Sequence, residues 1–170
     1  MPLTPSHLGA GFFWGALGPR FFNLWALLLG SVALDLENVV WTIVNVLAQC
    51  KGCDHHGFFH SLLGALVGSL ILSLVLWCFK KPLERFSHYL SLRQSFVFRV
   101  LFLSSFLGWI SHVLLDSLVH HDVFFFWPVK ENPFLISWTL YWPLSFALSI
   151  LGILSFIVLA LRIIRQNQHD

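Results

Sequence analysis

Three polar residues recur at a spacing of four in an otherwise apolar segment. His112, Asp116 and His120 lie in GWISHVLLDSLVHHD, residues 108–122. On a helix, positions i, i+4 and i+8 share one face, so the three form a stripe. Imidazole and carboxylate donors on one face suit Zn²⁺, Mn²⁺ or Fe²⁺. The plain alternative is an interhelical hydrogen-bond network that fixes packing. A second group is DHHGFFHS, residues 54–61. His56 and His60 share a face if a helix has begun by residue 56. His55 and His60 come together if it begins near Gly57. His60 is common to both readings, and Ser61 is placed to cap the helix or to hydrogen-bond a ligand. A third group is DLEN, residues 35–38, in which Asp35 is set deepest among apolar neighbours, while Glu37 and Asn38 also suit a solvated helix end. His7 follows a helix-start signal, TPSHLG.

The elements that must position these residues are membrane helices. The chain has 170 residues, of which 57% are hydrophobic and 11% charged. Its mean hydropathy is +0.77. A soluble domain carries about 25% charged residues. The expected fold is all-α, a polytopic membrane helix bundle forming one membrane-embedded domain over 1–170, with about four full spans and a short N-terminal helix. The short helix is expected at 5–18, ended by Gly18-Pro19. Membrane helices are expected at 21–46, 58–79, 94–119 and 134–164, with a basic amphipathic connector at 80–93. Net charge is only +2 and no long basic block is present, so nucleic acid is not an expected partner. Cys50 and Cys53 form CKGC. A local disulfide or free thiols fit better than a zinc half-site, because the usual second CxxC is missing.

The cations predict the topology. Arg20, Lys80, Lys81, Arg85, Arg93, Arg99, Arg162 and Arg165 fall on one side, against Lys51 and Lys130 on the other. The first side is expected to be cytoplasmic. The N-terminal hairpin then carries His7 and Asp35 to similar depth, about 18 and 24 Å from its turn at helical rise. His55, His56 and His60 enter the next span from outside. His112, Asp116 and His120 leave the following one toward the outside. Ionisable residues within apolar spans mark functional sites by default, and here they gather at one end.

The set of an N-terminal TPxH, a DxE pair, an HxGxxHS box and a late SHxxLD resembles the YdjM-like family of membrane-bound metal-dependent hydrolases. The motifs run from His7 to about Pro128. Matched one by one, His7, Asp35, His55, His60, His112 and Asp116 take the family's polar positions. His56 stands where the family box commonly has Arg. The resemblance implies a metal-dependent hydrolase, distantly similar to zinc-dependent phospholipase C.

The combined expectation is an integral membrane hydrolase of a prokaryotic cytoplasmic (inner) membrane, with its site facing outward. His7, Asp35, His55, His60, His112 and Asp116 are the expected ligands of one divalent ion or two, zinc first and manganese or iron as alternatives. Six N/O donors exceed one tetrahedral zinc. Asp35 and Asp116 are the expected catalytic carboxylates, orienting a water or a ligand imidazole. Glu37, Asn38, His56, Ser61, His120, His121 and Asp122 are expected at the rim or behind the ligands. Membrane lipids surround such a protein, and a lipid or lipid-linked ester, including a phosphoester, is the expected substrate. The alternatives are a non-catalytic metal carrier or sensor, and a membrane scaffold. The near absence of polar residues from the cytoplasmic halves of the spans, Arg99 apart, argues against transport.

Overall fold

The computed structural model describes residues 4–49 and 56–168, and among these every regular element is helical. In chain order they are α1 (Thr4–Leu17), α2 (Leu24–Val32), α3 (Asp35–Leu47), a 3₁₀ turn at Phe58–His60, α4 (Leu62–Cys78), α5 (Lys80–Tyr89), α6 (Phe98–Ser117), a second 3₁₀ turn at Trp138–Leu140, and α7 (Tyr141–Asn167). Cys50, Cys53 and His55 lie outside the described residues.

Three runs are long and apolar enough to cross a membrane: Leu24–Leu47, Phe98–Ser117 and Trp138–Gln166. The apolar stretch expected at 58–79 begins its α-helix only at Leu62. At 17 residues, α4 reaches spanning length only together with α5, and the two are bent by 76°. Lys80, Lys81 and Pro82 sit at that bend, where a polar face leaves the apolar layer. The stretch expected at 21–46 is carried by two helices. Asn23 caps the first, accepting from the Ala26 N–H at 3.0 Å, and a break at Ala33–Leu34 separates it from the second.

α6 is the element around which the others are arranged: α1, α2 and α4 all pack on it. Small residues set these crossings, as in membrane bundles generally. A side-chain carbon at Gly108 would fall on the Leu27 carbonyl oxygen, and one at Gly30 on the backbone of Ser105. α2 and α6 therefore meet backbone to backbone. Gly68 of α4 lies under the Trp109 ring in the same way. α1 packs along α7, where Gly9 and Gly152 adjoin.

Buried hydroxyls turn inward on their own helices. Ser69, Ser73, Ser111 and Ser117 bond carbonyls three or four residues back, which keeps polar groups satisfied in an apolar layer. The apolar core beneath the polar end of the bundle contains Leu34, Ala65, Trp109, Val113, Val123 and Phe125. The outer surfaces are apolar as well: Val39, Ile43, Val46 and Leu47 of α3 and Ile150, Ile153 and Leu154 of α7 are exposed, as lipid-facing positions should be.

Candidate metal centre

The donors arrive on several elements. α1 brings His7 from its first turns. The break at Ala33–Leu34 lets α3 start again at Asp35, so Asp35 and Glu37 occupy its first turn. The 3₁₀ turn carries His60, and the side chains of Trp109 and Ser61 help to hold it in place. Trp109 Nε1 donates to the Phe59 carbonyl at 3.1 Å. The Ser61 hydroxyl donates to the Phe58 carbonyl at 2.7 Å and accepts from the Gly64 N–H at 3.0 Å, capping α4. α6 presents His112 and Asp116 one turn apart. The chain beyond α6 stays folded because the His120 N–H still reaches the Asp116 carbonyl at 2.9 Å. Asn132 also donates to the carbonyls of Ser117 and His120, each at 2.7 Å.

Asp116 lies at the centre and is fully buried. Its two oxygens face four histidines. Oδ1 is 3.3 Å from His7 Nε2. Oδ2 is 3.0 Å from His112 Nε2, 3.9 Å from His56 Nε2 and 4.0 Å from His60 Nε2. Asp35 Oδ1 approaches the same His112 nitrogen at 3.8 Å. The His7 and His112 rings stack, with centroids 3.7 Å apart and an interplanar angle of 11°.

The outward nitrogens of three of these histidines meet acceptors. His112 Nδ1 is 2.7 Å from the Ser31 carbonyl, which can only accept, so the proton sits on Nδ1. His60 Nδ1 is 2.8 Å from Glu37 Oε2, a carboxylate that likewise takes a proton from it. His56 Nδ1 is 2.8 Å from Asp122 Oδ2, a close contact that lacks hydrogen-bond alignment. At His60 the acceptor behind Nδ1 leaves Nε2 with a lone pair, the arrangement that orients metal-binding histidines. His112 Nε2 hydrogen-bonds Asp116 Oδ2 at 3.0 Å, so a metal there would take the place of that proton.

This donor set fits a divalent metal. Three groups have their ligand atoms mutually within 4.8 Å: His7 with His112 and Asp116, His56 with His60 and Asp116, and His56 with His120 and Asp122. Two donors about 2.1 Å from one ion lie no more than about 4.2 Å apart, so the groups need only small side-chain adjustments. His60 Nε2, His7 Nε2 and Asp116 Oδ1 are buried with no aligned hydrogen-bond partner among the described residues. Leaving such atoms unmatched costs about 1–3 kcal/mol each, a cost that a bound cation removes. Asp116 belongs to two of the three groups. In the loop beyond α6, burial pushes the His120 imidazole down to about 4, so it is neutral at pH 7 and retains a lone pair.

The profile of the YdjM inner membrane protein family matches residues 1–169. The chain belongs to that family. With its apolar helices, this YdjM-family chain is an integral inner membrane protein. No curated protein and no solved structure matches it.

In this YdjM-family chain, five of the six ligands expected from sequence come together: His7, Asp35, His60, His112 and Asp116. The sixth, His55, lies outside the described residues. His56, expected at the rim, has its ring 4.6 Å from that of His60 and 4.8 Å from that of His120. The helical i, i+4 relation is not what joins His56 to His60, since both precede α4. Glu37 lies directly behind His60, and Asp122 behind His56. Asn38 is buried on α3, Ser61 serves as the α4 cap, and His121 faces outward. Sequence reading did not anticipate the Ser31 carbonyl, because a backbone acceptor leaves no mark in residue type.

Proposed function

We propose that the chain is an integral membrane metal-dependent hydrolase acting on a lipid or lipid-linked ester. The observation that carries this reading is the position of Asp116, shared by two three-donor groups at one end of the bundle. His7, His112 and Asp116 would hold one divalent ion, and His56, His60 and Asp116 a second, with zinc the best match to a buried N/O donor set. A divalent ion in such a site supplies a water acidified toward neutral pH and a Lewis acid for the ester oxygen.

The chain's own residues do the rest. Glu37 holds His60 in the tautomer that offers Nε2, and the Ser31 carbonyl orients His112 so that its Nε2 points at Asp116. Asp35, 3.8 Å from His112 Nε2, is the carboxylate placed to orient a water or accept its proton. The burial of His7, His60, His112 and Asp116 limits the access of bulk water to these donors. The charge map supports an outward orientation, with the eight-cation side in the cytoplasm.

The test is chelator-reversible hydrolysis. Protein in lipid nanodiscs, loaded with zinc or manganese, is given labelled glycerophospholipids and lipid-linked phosphoesters. Product release that stops with a chelator and returns with metal supports the reading. A metal-loaded, folded protein that releases nothing from either class overturns it.

A further inference from the structure

Beside the metal-type cluster runs an apolar groove of about 550 Å³ between α3 and α4. It extends from Phe59 and Glu37 along α4 to Val75. From Gly68 to Val75 this is about 10 Å at helical rise. Leu34 and Trp109 form its buried floor, at 1% and 6% exposure. Its rims, Leu36 and Val40 on α3 and Ile71 and Val75 on α4, are exposed to the surrounding apolar layer. α3 and α4 form its two walls. Among the described residues α3 packs along no other helix, whereas α4 lies against α6.

One end of this groove is polar. Glu37 lines it and also bonds His60 Nδ1 at 2.8 Å. The far side of that same imidazole faces Asp116, its Nε2 lying 4.0 Å from Oδ2. An apolar trough that ends at a carboxylate, one imidazole away from a donor cluster, matches a molecule with an apolar tail joined to a polar head. A partner helix would bring an apolar side with no polar head at that end. The open rims give access from the hydrocarbon layer without passage through water.

We infer that the α3–α4 groove seats one acyl chain of a diacyl phospholipid, with the headgroup linkage at the Glu37–His60 end. The inference deepens the hydrolase reading by naming its substrate class, and rests on it only for turnover. The groove holds the tail beside the donor cluster, so that the ester is delivered from within the bilayer.

The experiment uses the full chain in nanodiscs containing a phospholipid with a diazirine in one acyl chain. After illumination, labelled peptides are mapped by mass spectrometry. Labelling at Leu36, Val40, Ile71 and Val75 is expected severalfold above that at Ile150, Ile153 and Leu154 of α7, which are similarly exposed and do not line this groove. The V75W variant fills the groove and should bring its labelling down to the α7 level while α7 labelling stays constant. V40W, on the opposite wall, serves if V75W does not fold. Equal labelling of the groove and α7 overturns the inference, and so does protein–protein cross-linking by a photoreactive residue placed at Val40 or Val75 in a separate sample. Groove-selective labelling without any hydrolysis would leave the tail seat standing and remove the enzymatic reading. Hydrolysis with uniform labelling would do the reverse.

Discussion

Glu37→Gln changes one oxygen to nitrogen, yet the structure gives it a large effect. Glu37 Oε2 accepts from His60 Nδ1 at 2.8 Å while Oε1 accepts from the Phe59 N–H at 3.3 Å. A glutamine has one acceptor oxygen. If it keeps the Phe59 bond, its amide nitrogen faces His60 and donates to Nδ1. The imidazole proton then moves to Nε2, the nitrogen aimed at Asp116, and blocks it as a ligand. If the amide flips, the Phe59 N–H loses its acceptor and the 3₁₀ turn loosens. Either way one charge-assisted hydrogen bond is lost in a mostly buried position, with the Glu37 side chain 14% exposed. Such a bond contributes about 1.5–3 kcal/mol, and at about 1.4 kcal/mol per tenfold the expected loss of metal affinity is roughly 10- to 100-fold, the range seen when the partner behind a ligand histidine is removed. The assay is competition between detergent-solubilised protein and a chromophoric zinc chelator, with thermal unfolding run alongside. Glu37→Asp should recover part of the affinity. The reasoning fails if Glu37→Gln binds zinc as wild type does while His60→Ala loses it.

Other parts of the site give their own tests. Gly108→Ala should push α2 from α6 and lengthen the 2.7 Å contact of His112 Nδ1 with the Ser31 carbonyl; lower folded yield and lower metal content are expected, measured by gel filtration in detergent and elemental analysis. Asp122→Ala should remove part of the bound metal and no more, because the His7–His112–Asp116 group does not use it; complete loss would show that the groups are not separable. Trp109→Phe leaves the Phe59 carbonyl without its 3.1 Å donor. Destabilisation of about 1–3 kcal/mol should appear in thermal or denaturant unfolding, with weaker metal binding because His60 follows that carbonyl.

Hydropathy made the spans of α6 and α7 legible, since 20 and 27 residues of helix need long apolar runs. The His112–Asp116 pair was legible for the same reason: a helix was certain there, and its period fixes which residues share a face. Where the helix assumption lapsed, so did the reading. His56 reaches the cluster through extended backbone and a 3₁₀ turn, so no periodicity connects it to His60. The break at Ala33–Leu34 carries no proline or glycine signal. Glu37 looked like a helix-end carboxylate until the fold put His60 in front of it. The α3–α4 groove was not legible at all, because it depends on how far two apolar helices diverge.

The central claim is that Asp116 and the histidines around it bind divalent metal. Elemental analysis of protein purified without chelator, as wild type and as Asp116→Ala, tests it most directly. At least one equivalent of a divalent transition metal per chain is predicted for wild type. A folded Asp116→Ala protein should lose most of it, because Asp116 is common to two of the three donor groups. Folded wild type that takes up no metal on reconstitution, or an Asp116→Ala variant with undiminished content, would contradict it.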